Sequence, residues 1–224
     1  MKKTRSGVTG FVAAVVGGVA AAAALICGGC NDGGVADGDG TAGRFIYRFY
    51  GVELGGNTWM RKNLNVETED SWCYENSTDS CEKYGRLYTW EAAKSACQRI
   101  GWRLPYYGEW SDLISAAGGY EVAGKRLKAK NGWQRYWGED GNGTDNYGFS
   151  ALPGGMRNSD GSFESTGAYG FWWTASDYYW TGMDDDDFWV GKAEGGEMNN
   201  RDGYAHGYPS LKSNGFSVRC VKDL

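Results

Sequence analysis

Three prolines, one histidine and few aliphatic side chains in 224 residues remove several possibilities at once. With His206 as the single histidine, no histidine metal cluster can form. Any Ser-His-Asp or Cys-His arrangement would have to use that residue, and no motif places a nucleophile for it. Basic excess is missing too. The formal net charge is −5, and a chain without a basic face is not expected to bind nucleic acid. No internal repeat of useful period is present. What abounds is Gly, with 37 residues, and aromatics, at 15%. That balance points to a loop-rich α+β or β domain rather than a helical bundle. The length suits one domain once processed segments are set aside.

The first thirty residues do not read as fold. Lys2, Lys3 and Arg5 form a positive region, and Val8 to Ile26 form an apolar run. Small residues and a cysteine follow, which is the layout of an export signal. A membrane span is the alternative, since one needs about 20 apolar residues. Gly28-Gly29-Cys30 resembles the bacterial lipoprotein signal, with Cys27 where Leu is usual. It implies a signal peptide over 1–29 and lipidation at Cys30. Residues 30–43, rich in Gly and Asp, read as a flexible tether. The folded domain is expected over 44–224.

Four cysteines remain, Cys73, Cys81, Cys97 and Cys220. An even number in an exported chain suggests two disulfides, with three connectivities possible. Cys73 and Cys81 flank a short polar loop. Cys97 shares a helix face with Trp90, Ala93 and Ile100, and Cys220 a strand face with Phe216 and Val218. Both face the core, which favours Cys97–Cys220 as the second bridge.

Residues 44–64 read as two strands around Gly55-Gly56. Thr89 to Gly101 reads as a helix capped by Thr89 and ended by Gly101. Gly108 to Gly119 reads as a second, with Trp110, Leu113, Ile114 and Ala117 on one face. Glu121 to Lys130 reads as a short third. After Lys130 short strands and long loops are expected. The segment "GFSVRCV" (Gly215 to Val221) alternates like a well-packed strand.

These pieces, in this order, resemble the Fibrobacter succinogenes major paralogous domain, a family of bacterial cell-surface modules. The matching stretches include "TWMRKNLNV", "CYENSTDSCEKYGRLYTWEAAKSAC", "GWRLPYYGEW", "AGKRLKAKNGW", "DNYGFSALPGGMRNSDGSF", "GFWWTAS" and "GFSVRCVKD". Tyr106 and Tyr107 depart from the Ser or Thr and polar residue usual there, which predicts a weaker N-cap for the second helix. "RLPYYGEW" is similar to a signature of the C-type lectin-like fold in the variant shared with formylglycine-generating enzymes. The resemblance implies an α+β fold of that lectin-like type. Two main helices would pack on a small twisted antiparallel sheet, with long loops carrying any binding site. A helix-to-last-strand disulfide recurs in such domains.

No catalytic set is identified, and the chain is not expected to be an enzyme. The cysteine chemistry of formylglycine-generating enzymes is not carried over, since a shared fold does not transfer a site. Asp140, Asn142 and Thr144 alternate like a calcium loop, but Ala151 stands where its twelfth-position Glu belongs, so a Gly/Asn turn is the favoured reading. Otherwise no cofactor is expected. The run Asp184 to Asp187 reads as a solvated acidic loop.

Between Asp177 and Asn214 there is one Val, one Leu and no Ile, against six Asp. Loops of Tyr, Gly, Ser, Asn and Asp have the composition of antibody paratopes. The expected ligand-binding residues are Tyr178, Tyr179, Trp180, Asp184, Asn199, Asn200, Arg201, Asp202, Tyr204, His206, Tyr208 and Ser210. In the lectin-like fold this segment faces the ligand. Asn, Asp, Tyr, His, Ser and Gly are also the residues reached by randomising the adenines of Asn codons. Surface lipoproteins diversified by retroelements show that bias just before the final strand. Trp133, Tyr136, Trp137, Trp172, Trp173 and Trp180 are a glycan platform or core, with Trp172 and Trp173 split between inside and outside if they lie on a strand. The expectation is a lipid-anchored, surface-exposed adhesion module of the bacterial envelope that binds a protein or glycan. The alternatives are a self-assembling envelope component and an oxidoreductase akin to formylglycine-generating enzymes.

Overall fold

A computed structural model describes residues 51–179 and 191–224. The proposed signal, tether and Cys30, the start of the first strand, Trp180 and the Asp184 run lie outside the described residues. Strand β1 (Gly51–Leu54) turns through Gly55-Gly56, both at positive φ, into β2 (Asn57–Met60). Such a pair of left-handed residues matches the twist of a two-residue hairpin. Strand β3 (Ser71–Trp72) pairs with β4 (Leu87–Tyr88), and helix α1 (Thr78–Tyr84) lies between them. Then come three helices, α2 (Trp90–Arg99), α3 (Tyr107–Ala116) and α4 (Tyr120–Leu127).

Strands β5 (Met156–Arg157) and β6 (Phe163–Glu164) form a small hairpin. Strands β7 (Tyr169–Asp177) and β8 (Lys192–Asn199) are the long antiparallel pair. Short strands β9 (Ala205–Gly207) and β10 (Ser210–Leu211) both pair with β8. Finally β11 (Val221–Asp223) joins β2, so one three-stranded sheet holds both ends of the described chain.

Helix α2 starts and stops as expected, while α3 and α4 end before the expected Gly119 and Lys130. The Thr89 hydroxyl accepts from the Ala92 amide, and Gly101 takes φ +72 after α2. Tyr106 supplies no side-chain cap to α3. Instead the Glu109 carboxylate accepts from the Tyr106 amide at 2.7 Å. Half a capping box therefore replaces the missing Ser or Thr. Both expected disulfides are present, Cys73–Cys81 and Cys97–Cys220.

Four expectations need correction. The polar loop between Cys73 and Cys81 contains most of α1's first half. That helix buries only Cys81, so it leaves no apolar period to read. The segment 215–220 is not a regular strand but an extended run with isolated bridges at Gly215, Phe216 and Ser217. Its polar positions are not solvated either. Phe216, Val218 and Cys220 enter the core cluster around α2, while Ser217 and Arg219 point the other way and are just as buried. Trp172 and Trp173 are not split between inside and outside. Trp173 packs in the α2 cluster and Trp172 in a second cluster around α3 and α4, so β7 is covered on both faces. Last, the described part of the span 177–214 is about half strand rather than loop. It carries β8, β9 and β10, and its Gly content hid β8 because Gly is depleted in strands.

Candidate functional site

The stretch after β8 is bolted to α4 from below. Lys128, only 1% exposed, donates from Nζ to the carbonyls of Asn199 (2.7 Å) and Asp202 (2.9 Å). The Asn199 side chain accepts from the Arg201 amide, and the Asp202 side chain from the Tyr204 amide. Asn200 Nδ2 donates to the Gln134 carbonyl, and the Lys125 amide donates to Gly203. Gly124 in α4 lets this backbone approach, since a Cβ there would run into the Tyr204 carbonyl. A Gly inside a helix costs about 1 kcal/mol relative to Ala, so close contact is what it supplies here.

Above this base the chain alternates. Gly203, Ala205 and Gly207 turn inward, with Ala205 fully buried and a Cβ at Gly207 meeting the Tyr107 hydroxyl. Asp202, Tyr204, His206 and Tyr208 occupy the opposite face, exposed or half-buried. The period of two is that of an extended strand. Small residues face the body, and of the large ones only Tyr208 packs its ring against the core, at Phe171 and Phe216.

Neighbouring elements add rings to that face. Tyr120 stacks on Tyr204 with centroids 5.0 Å apart and lies 5.7 Å from His206. The Arg201 guanidinium sits 5.2 Å from the Tyr136 ring and 5.4 Å from that of Tyr169. Trp137, 90% exposed and at φ +51, stands beside Tyr136. His206 Nε2 lies 3.4 Å from Glu197 Oε1. This contact raises the histidine pKa against the opposing effect of burial. Burial, then the Glu197 and Glu164 charges, push the Tyr208 hydroxyl up.

The expected binding residues divide. Tyr179 is 81% exposed, and Arg201, Asp202 and Tyr204 are exposed. Tyr178, His206 and Tyr208 are half-buried. Asn199, Asn200 and Ser210 are buried and hydrogen-bonded within the fold, Ser210 to Asn214, so they build the frame. Of the aromatic platform, Trp133, Trp172 and Trp173 are core, while Tyr136 and Trp137 are exposed. Lys128, Tyr120 and Glu197 were not among the expected residues. Tyr120 and Lys128 lie some 70 or more residues before their partners, as the Lys128–Asn199 bond shows, and no local pattern announces such contacts.

The Asp140 loop is occupied by its own chain. Asp140 Oδ1 accepts from the Asn142 amide and side chain, Asn142 Oδ1 from the Trp133 amide, and Thr144 Oγ1 donates to the Lys125 carbonyl. That is the Asx-turn use of such residues. Among the described residues no three His, Cys, Asp or Glu side chains gather as a metal group.

The "RLPYYGEW" stretch also has a structural role. Arg103 holds Glu109 with two bonds of 2.7 and 2.6 Å and also pairs with Asp223 of β11. The Arg103 backbone exchanges hydrogen bonds with Val221. The motif thus clamps the start of α3 to the last strand, and Glu109 holds its pKa below the usual carboxylate value through Arg103.

The family model of the Fibrobacter succinogenes major domain matches residues 52–222. The chain belongs to this family. The match runs from β1 to β11, so it takes in both core clusters, both disulfides and the outward face. No curated protein and no solved structure matches the chain.

Proposed function

We propose that this family member is a lipid-anchored, surface-displayed binding module of C-type lectin-like fold. It recognises a protein or glycan through the outward face of 201–208, together with Tyr120, Tyr136, Trp137 and Tyr179. One observation carries the reading. Asp202, Tyr204, His206 and Tyr208 alternate with small inward residues over a backbone pinned by Lys128. A rigid base with interchangeable outward side chains is how recognition loops separate stability from specificity. Tyr and Trp add contact area at low entropic cost, and an exposed Trp held at positive φ is unfavourable for folding alone.

The test pairs binding with stability. A glycan array and a panel of envelope and host surface proteins supply the ligand. Tyr204→Ala and Trp137→Ala each weaken that binding at least tenfold while Tm stays within about 3 °C, a shift expected of surface changes. Equal loss of Tm and binding would make these residues structural. Self-association in light scattering without any ligand would favour an envelope assembly instead.

The same face sharpens the idea of retroelement diversification. Codon sequencing across a population of the source bacterium should find variation at 201, 202, 204, 206 and 208. It should find none at the buried Asn199, Asn200 and Ser210. Uniform codons throughout would identify a fixed binder.

A further inference from the structure

Beside the outward face lies a cleft of about 350 Å³, lined by Met156, Glu164, Ser165, Tyr169, Phe171, Glu197 and Tyr208. We propose that this cleft binds the side-chain cation of a protein ligand, a lysine ammonium or arginine guanidinium, between Glu164 and Glu197. The proposal rests on the recognition reading above and names the chemistry of its ligand.

The lining has two carboxylates from separate elements, Glu164 on β6 and Glu197 on β8, and no Lys or Arg. Glu197 has only 9% of its side chain exposed. Its described counter-charge is His206, a partner that is cationic only when protonated. A cation entering the cleft is attracted by both carboxylates, the exposed Glu164 and the more buried Glu197. Tyr169 and Phe171 stack nearly parallel at 5.7 Å, and Tyr208 lies 4.9 Å from Phe171, so aromatic residues line the rest of the cleft. Ring faces attract a cation within about 6 Å. The fold already uses this arrangement once, where Arg201 contacts Tyr136 and Tyr169. Arg201 shows that the outer edge of this aromatic row accepts a guanidinium, and it is absent from the cleft lining. Ser165, at φ +67, marks the lip of the cleft. Strained residues of this kind cluster at ligand sites.

A sugar fits less well. Its hydroxyls carry no charge and gain little from two carboxylates, whereas a cation is attracted by both. The volume is at the low end of the roughly 300–1,000 Å³ of small-ligand pockets, which suits one side chain.

The experiment titrates the full chain, held in mild detergent, with Nα-acetyl-lysine amide, its neutral norleucine analogue and methyl glucoside. Amide shifts of Ser165, Glu197 and Tyr208 are followed by NMR. The lysine amide is expected to shift all three saturably and the norleucine analogue not at all. Glu164→Gln should weaken binding at least fivefold. Glu164 enters the β5–β6 ladder through its backbone, so this variant keeps the fold. Equal shifts from the norleucine analogue, shifts from the sugar alone, or no saturation by lysine amide at millimolar concentration would each overturn the proposal. Tyr204 does not line this cleft, so Tyr204→Ala is assayed against the partner panel rather than in this titration. Its effect on partner binding tests the recognition face separately, so failure of one reading is distinguishable from failure of the other.

Discussion

Lys128 and Arg219 are both buried cations held by carbonyl oxygens. Lys128 meets Asn199 and Asp202. Arg219 meets Met60, Phe149 and Ser150 carbonyls and the Asn63 side chain. Burial lowers the Arg219 pKa with Asp145 opposing, yet a guanidinium keeps its proton in proteins, so the charge stays and the carbonyl cage holds it. Lys128 is different. Burial, then Lys125, bring its pKa down to about 8 from 10.5. Lys128→Met leaves two carbonyls without a donor. At about 1–3 kcal/mol for each buried unsatisfied group, urea unfolding at pH 7 should show a loss of roughly 2–6 kcal/mol. The sign with pH follows from linkage. Between the folded value near 8 and the unfolded 10.5, the unfolded state binds more protons, so this group's contribution to stability rises with pH. The gap between the parent and Lys128→Met should therefore widen above pH 8, and a constant or shrinking gap would show that Lys128 is not desolvated.

At the scale of elements, rings and glycines are matched. A Cβ on Gly196 of β8 would run into the Trp110 ring, and one on Gly170 of β7 into that of Trp172. Trp110 in turn stacks on Trp172 at 5.8 Å. The abundance of Gly and Trp is thus one feature: flat rings pack against bare backbone. Gly196→Ala keeps strand propensity or improves it, so propensity alone predicts stabilisation. Packing predicts the reverse, a loss of about 1–3 kcal/mol from overpacking, and thermal unfolding decides between them. The same matching explains which elements could be read from sequence. Helix α2 shows a cap and an apolar period, and α3 an apolar period. Strand β8 shows neither, because its Gly195-Gly196 pair takes shape only against the Trp172 and Tyr208 carbonyls and the Trp110 ring of α3.

At the scale of the whole molecule, two links hold the late chain to the early helices. One is the Arg103 clamp to β11. The other is Cys97–Cys220, which closes a separation of 123 residues, against 8 for Cys73–Cys81. In the chain-entropy account a loop of about 100 residues stabilises by about 4.7 kcal/mol and one of about 15 residues by about 3 kcal/mol. Replacing Cys97 and Cys220 by Ala should therefore lower unfolding free energy by roughly 2 kcal/mol more than replacing Cys73 and Cys81, on the same scale. Chemical denaturation of the two double variants checks the order. A larger effect from the short loop would mean that the β3–α1–β4 region carries stability beyond its chain entropy.

Local chemistry sufficed for part of this protein. Thr89 and Gly101 bound α2 because capping and left-handed glycine are decided within a few residues. The cysteine positions and the order of motifs sufficed for the disulfide pairing and the family. The polar, ring-rich composition before the last strand pointed to exposed residues, and Arg201, Asp202 and Tyr204 are exposed. Which of those residues face outward was decided only by tertiary structure. Asn199, Asn200 and Ser210 look like Asp202 and Tyr204 in sequence. Yet Asn200 meets the Gln134 carbonyl and Ser210 the Asn214 side chain, while Asp202 and Tyr204 stay exposed over a backbone held by Lys128. The reason is general: capping and periodicity act between near neighbours. Burial of a polar side chain depends on partners that folding brings from far along the chain.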